Sequence, residues 1–295
     1  MEPSAGFGPA TITLPMSSNI DHSLVEFEKW VIAKYSISYR KAVLCYAKKY
    51  NNLLDSNSNL RDLELLTNDV KNSVVKSLLL FAKFNGCYSQ FKDRLKEYGI
   101  KLYRPNSLNA FLRILNASNS NLMQYYNEVI PMLRDNERLF AKFLLQSGLR
   151  VSEGIESFNL IIKLASDNKL SEYYDENLCS LMHFKFQKLF IRGTKNAFIT
   201  FVGKDFLDQI ANSESVTYSS IRKRLQRNGK SMRFDEFRDY FGTQLVNNGI
   251  LEIEQNLVCG RIPIGIFIRH YWSPKLKELG SRVLVATSKM EISSA

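Results

Sequence analysis

Three arginines and one tyrosine in the C-terminal half have side chains and settings suited to phosphate chemistry. Arg150 closes a Gly148-Leu149-Arg150 turn and precedes Val151-Ser152-Glu153, while Arg238 heads the run Arg238-Asp239-Tyr240-Phe241. Arg261 follows Gly260, and Tyr271 lies in the stretch Arg269-His270-Tyr271-Trp272. A guanidinium group binds two phosphate oxygens bidentately and holds its charge at any physiological pH. A tyrosine hydroxyl belongs to the short list of side chains that form covalent intermediates. Taken singly, each residue has a plainer reading. Arg150 would cap the end of the preceding helix, Arg238 would pair with Glu236 or Asp239 at the surface, and Tyr271 would pack beside Trp272. His270 reads as a neighbour that positions the loop rather than as an acid or base. Only a joint pattern carries a function.

Composition limits what that function acts on. The 295 residues include 40 Lys plus Arg against 29 Asp plus Glu, a formal charge of +11, and 45% of the side chains are apolar. Such a chain buries at least one full core and points to a polyanionic partner, with nucleic acid ahead of an acidic membrane surface. No apolar run approaches the roughly 20 residues that cross a bilayer, and the N-terminus lacks the basic start and apolar centre of a signal peptide, so an intracellular protein is expected. Cys45, Cys87, Cys179 and Cys259 are widely separated and only three histidines are present, which gives neither a disulfide framework nor a zinc site. Each cysteine reads as a small buried apolar residue.

The elements that must position these residues follow from periodicity. Residues 1–18 carry Gly, Pro, Ser and Thr without a period and read as a flexible leader. Helical stripes follow: Leu24, Phe27, Trp30 and Val31; Val43, Tyr46, Tyr50 and Leu53; Val74, Val75, Leu78, Leu79 and Ala82. Lys41, Lys48, Lys49, Lys76 and Lys83 lie among them, either as a phosphate-gripping face or as a solvated one. The run Tyr103-Arg104-Pro105-Asn106-Ser107 breaks the pattern and places a boundary between about residues 102 and 120. A helix then starts near Asp135 as N-cap and stops at Ser147-Gly148. Alternation from His183 to Ile191, a polar turn Arg192-Gly193-Thr194-Lys195-Asn196, and the run Ala197 to Val202 predict a β-hairpin. Helix returns with the basic cluster Arg222, Lys223, Arg224, Arg227, Lys230 and Arg233. An apolar face of Phe237, Tyr240, Phe241 and Leu245 then ends at Asn248-Gly249.

The order of these parts resembles the tyrosine recombinase (phage integrase) family. The run Phe143 to Glu153 is similar to its first signature box, Phe237 to Leu245 to its second, and Val258-Cys259-Gly260-Arg261 to its Leu-Gly-His segment with arginine for histidine. The substitution and the His-Tyr ending look most like integrases of archaeal spindle-shaped viruses and archaeal plasmids. The resemblance covers about residues 136–277, and the helical N-terminal part matches only in kind.

The resemblance implies a mainly α fold with a small β-hairpin or sheet: a helical core-binding domain plus a mixed α+β catalytic domain. The divisions expected are the leader at 1–18, a helical DNA-binding domain at 19–105, a linker at 106–120, a catalytic domain at 121–282 and a tail at 283–295 that packs against a neighbouring subunit. Arg150, Arg238 and Arg261 would clamp the phosphate, a hairpin lysine would protonate the departing 5′ oxygen, and Tyr271 would be the nucleophile that forms a 3′-phosphotyrosyl intermediate. Lys195 is the first choice for that lysine and Lys188 the alternative. Lys48, Lys49, Arg222, Arg224 and Arg227 would contact DNA. No metal or nucleotide cofactor is implied. The partners implied are double-stranded attachment sites bound by a homo-tetramer, with a monomer or dimer when free and no membrane, and the task is integration or excision of a mobile element. A host resolvase of chromosome dimers, a nicking-closing topoisomerase and a catalytically decayed DNA-binding protein are the alternatives. The chain departs from the family at a second position as well. The His or Lys expected three residues before the second arginine is Asp235, which would repel the phosphate unless protonated or paired with Arg233 or Lys230; with the helix offset by a residue or two, Arg233 or Lys230 would instead supply the missing donor.

Overall fold

The computed structural model describes residues 20–292 apart from 36, 105, 118–121, 193–194 and 263–264. The expected leader, the Gly193-Thr194 turn and Pro263 therefore lie outside the described residues. The chain divides into two compact units, Met1–Ser118 and Asn119–Ala295.

The described residues of the first unit form helices: α1 (Ile20–Lys34), α2 (Ile37–Tyr50), α3 (Asn68–Phe84), α4 (Tyr88–Glu97) and α5 (Ser107–Ala117), with 3-10 turns at Asn51–Leu54 and Leu60–Leu65. The periodic positions are the ones that fold inward. Leu24, Phe27, Val31, Val43 and Ala47 meet Phe81 of α3 in one cluster, while Val74, Val75, Leu78 and Ala82 of the same helix meet Leu60, Phe91 and Leu95 in another. α3 thus joins both clusters through two faces. The stretch 106–120, expected as a linker, carries α5.

Among the described residues, the second unit holds the remaining helices and the strands. In order they are α6 (Leu122–Val129), α7 (Asp135–Ser147), α8 (Val151–Ser166), β1 (Tyr174–Asp175), β2 (Ser180–Leu181), α9 (Gln187–Phe190), β3 (Ile191–Arg192), β4 (Lys195–Asn196) and β5 (Thr200–Phe201). Then come α10 (Lys204–Ala211), α11 (Tyr218–Arg227), α12 (Glu236–Asn247), α13 (Glu252–Val258), α14 (Ile266–His270) and α15 (Leu276–Ile292). β1, β2 and β5 form an antiparallel sheet in the order β1-β2-β5, and β3 pairs with β4. The protein is therefore mainly α with small antiparallel sheets, as expected.

Two clusters fill this unit, and α12 joins them. Phe237 belongs to the cluster built on Phe140 and Phe143 of α7 and Phe158 of α8. Phe241 and Leu245, one and two turns on, belong to a cluster with Phe201, Val258, Leu279, Val283, Ala286 and Met290. Arg238 sits between these anchors, so its direction is set by packing on both sides.

Two expectations change. Residues 283–292 continue α15 and put Val283, Ala286 and Met290 into the unit's own core instead of forming a tail. The long hairpin is shorter: His183–Phe186 is a 3-10 turn leading into α9, and only β3 and β4 pair as a hairpin. His183, Phe186 and Phe190, spaced three and four apart, turn inward onto Tyr173, with ring centroids 5.6, 5.1 and 6.1 Å away. That is helical spacing, and the alternation that read as a strand was incidental. Among the described residues no helix is long and apolar enough to cross a membrane.

Candidate active site

Arg238 organises the site. Its Nη1 donates to the Gly148 carbonyl at 2.6 Å and its Nη2 to the Cys259 carbonyl. Those carbonyls lie two residues before Arg150 and two before Arg261, so one guanidinium ties together the turns that deliver the other two. Burial holds the Arg238 guanidinium below its ordinary value, and the like charges of Arg150 and Arg261 push the same way. The Cys259 thiol is raised by burial against the opposing pull of Arg238, Arg261 and Arg150, which marks the three cations as neighbours. The alternative pairing of Arg238 with Glu236 or Asp239 is not what the structure has.

Both turns need glycine. Gly148 ends α7 in the left-handed region at φ 60°, and a Cβ there would lie 2.1 Å from the Phe241 ring. Gly260 has φ 68° and abuts the main chain of Asn196 in β4. Arg150 then begins α8 instead of capping α7. Its amide donates to the Glu153 carboxylate at 3.1 Å, and its Nη1 reaches the other oxygen at 2.7 Å. Glu153 is 1% exposed, so it fixes Arg150 by an ion pair shielded from solvent. The residue pattern alone assigns Glu153 no role. Its signal is a glutamate at the third helical position, which satisfies the N-cap amide, and Glu137 and Glu254 repeat it at the starts of α7 and α13.

Other candidates stand in the open. Arg261 is exposed, with its amide held by the Asn256 carbonyl at 2.7 Å. Lys195 in β4 and Lys188 in α9 are both exposed. Tyr271 directly follows α14 and is 73% exposed. Its amide donates to the Phe267 carbonyl at 2.8 Å, and its ring lies 6.4 Å from those of Phe267 and His270. The structure thus brings Arg150, Arg238 and Arg261 together and gives the Tyr271 hydroxyl no hydrogen bond to any of them among the described residues. Packing against Trp272 does not account for so exposed a ring.

Asp235 is exposed at the start of α12. The cations proposed as its partners, or as its substitutes, are engaged elsewhere. Arg233 makes a two-point contact with Glu236 and lies 5.1 Å over the Tyr125 ring, and Lys230 pairs with Glu128 at 2.6 Å. Of the DNA-contact candidates, Arg222 and Arg227 are exposed on α11. Arg224 turns inward, its Nε 2.5 Å from the carboxylate of Glu137, which is 2% exposed. In the first unit Lys48 pairs with Glu28 at 2.7 Å and Lys49 lies 5.3 Å from the Tyr50 ring.

Three arginines lie near one another beside a two-stranded hairpin, in a basic and mainly helical chain, an arrangement chemically suited to receiving an anion. A family profile described as archaeal phage integrase matches residues 114–277, more than half of the chain, and the chain belongs to that family. It is a site-specific DNA integrase, a recombinase that binds DNA. A search among characterised proteins found no match to the chain.

Proposed function

We propose that this integrase breaks and rejoins DNA by tyrosine chemistry. Arg150, Arg238 and Arg261 hold the scissile phosphate, and the Tyr271 oxygen attacks phosphorus. The bond from phosphorus to the 5′ oxygen breaks as the tyrosyl ester forms. The leaving oxygen takes its proton from Lys195, with Lys188 the alternative, and the tyrosine proton passes to the solvent to which Tyr271 is open. The carrying observation is the anchoring of Arg238 on Gly148 and Cys259, which gathers three fixed charges where the pentacoordinate phosphorane places its extra negative charge. Arg261 binds charge but is a poor proton carrier, which leaves the proton to lysine. The resulting 3′-phosphotyrosyl ester conserves bond energy for rejoining, so no nucleotide is consumed.

The reaction serves integration or excision of a mobile element at duplex attachment sites. Four copies assemble on two sites and exchange strands in pairs. The exposed Arg222 and Arg227 grip the backbone, together with Lys48 and Lys49 of the first unit, while Arg224 has a structural task. The test is incubation with a nicked suicide duplex followed by denaturing electrophoresis. Wild-type protein gives a covalent protein–DNA band and Tyr271→Phe gives none. Absence of a band from wild type, or an equal band from Tyr271→Phe, would leave a DNA-binding protein without this chemistry. A strand-transfer assay on paired sites separates integration from mere nicking and closing.

A further inference from the structure

The hairpin that carries Lys195 touches the arginine frame at Gly260. A Cβ built there would lie 1.8 Å from the Asn196 carbonyl oxygen, 2.7 Å from its carbon and 3.2 Å from the Ala197 Cα. All three are main-chain atoms, so no rotamer change makes room. The left-handed backbone is a separate demand. Gly249 has φ 76° with nothing within 4 Å of its missing Cβ, whereas Gly260 has both the positive φ and the close approach. On either side of it, Cys259 offers its carbonyl to Arg238 and Arg261 carries the third guanidinium. A single turn therefore touches the frame on one side and the hairpin on the other.

Among the described residues, few ladder bonds fix the hairpin's register beyond its buried base at Phe190 and Ala197. Ile191 pairs with Asn196 and Arg192 with Lys195, supplemented by the Arg192 amide on the Asn196 side chain at 2.9 Å, the Ala197 amide on the Phe190 carbonyl at 3.0 Å and, in the flanking segments, the Phe184 amide on the Phe198 carbonyl at 3.1 Å. So short a ladder is marginal by itself. We infer that Gly260 is a positioning residue for the proton donor: its bare backbone lets β4 seat against the arginine turn, and that contact sets where Lys195 stands relative to the phosphate. This rests on the reading of Lys195 as the acid.

Two nicked suicide duplexes that differ in one bridging atom test it. With a 5′ oxygen, the P–O bond breaks and the leaving oxygen needs the lysine proton. With a 5′ sulfur, the P–S bond breaks and the thiolate leaves without one. Gly260→Ala, and Gly260→Asn, which tolerates a left-handed backbone but still carries a Cβ, are compared with Gly249→Ala, Lys195→Ala and Lys188→Ala. Both Gly260 variants are expected to cleave the oxygen substrate about a hundredfold more slowly, the scale of a lost general acid, and to recover to near wild-type rate on the sulfur substrate. Gly249→Ala behaves as wild type on both. Wild-type cleavage of the oxygen substrate by the Gly260 variants, or an equal loss on both substrates, overturns the inference.

Failure of the acid reading has its own signature, a Lys195→Ala defect that sulfur does not rescue. Hydrogen exchange in DNA-free protein then decides about the contact alone. The Arg192 and Ala197 amides exchange faster in Gly260→Ala or Gly260→Asn than in wild type or Gly249→Ala. Unchanged protection in the variant that folds overturns the contact.

Discussion

The arginine frame and the tyrosine segment of the second unit are built in opposite ways. Arg238 is tied to two main-chain carbonyls, Arg150 to a carboxylate that is 1% exposed, and the helices carrying them share one apolar cluster, which α12 joins to a second. On the other side Ile262, Ile266, Phe267 and Tyr271 are 49%, 73%, 65% and 73% exposed. On the proposed reading, the charges that would bind the phosphate are part of the fold and preorganised before substrate arrives. Tyr271, the nucleophile on that reading, is attached to the fold with its side chain in the open. Replacing a group in the frame should damage stability and chemistry together, whereas replacing the tyrosine should remove chemistry and leave stability alone.

The largest separation is expected between Arg238→Ala and Tyr271→Phe. Loss of Arg238 strips a charged donor from two carbonyls, so urea denaturation should report about 3 kcal/mol less stability. Strand cleavage should fall by about 10²–10³-fold. Tyr271→Phe should abolish covalent product while moving stability by no more than about 0.5 kcal/mol, as for other exposed positions. Equal stability of the two variants would break the comparison.

A second pair sharpens it on α11. Arg224→Ala leaves the Glu137 carboxylate buried without its cation and should cost about 3 kcal/mol. Arg222→Ala should leave stability unchanged and reduce the slope of log affinity against log salt by about 1 in a DNA titration. The reverse assignment would return Arg224 to the DNA face.

The smallest effect is a pH dependence in the scaffold under the hairpin. His183 is buried, with Nδ1 2.7 Å from the Tyr173 hydroxyl and Nε2 2.8 Å from the Thr200 hydroxyl, and burial pushes its imidazole down to about 3 from 6.5. The unfolded chain therefore takes up a proton below about pH 6.5 that the folded chain refuses until about pH 3. The stability His183 contributes is complete above pH 6.5 and is lost as the pH falls toward 3, with a slope of at most about 1.4 kcal/mol per pH unit. Denaturation of wild type and His183→Gln at pH 7 and pH 5 measures it, and the variant should lose less stability between the two.

Much of this was legible in the sequence because it is local. The Gly-Leu-Arg turn, the aromatic run after Arg238 and the stripes from Leu24 to Ala82 each declare themselves within a few residues, and the structure buries most of the stripe positions. What stayed hidden depends on distant partners. Arg224 looks like any basic surface residue until Glu137, 87 positions away, is placed beside it. The carbonyls that hold Arg238 carry no side-chain signal, and neither does the approach of Asn196 to Gly260. The segment from His183 to Phe190 misled for a different reason. A run in which nearly every second residue is aromatic also contains a helical i, i+3, i+7 set, and packing on Tyr173 selected that set and left Phe184 at 41% exposure.

The central claim is that Tyr271 becomes covalently joined to DNA, and the direct measurement is to find the modified residue. Wild-type protein trapped on a nicked suicide duplex would be digested with nuclease and trypsin and its peptides read by mass spectrometry. The peptide His270-Tyr271-Trp272-Ser273-Pro274-Lys275, in which Tyr271 is the lone tyrosine, should carry a 3′-phosphonucleotide on that side chain. A nucleotide on any other residue, or a trapped complex with this peptide unmodified, would contradict the account.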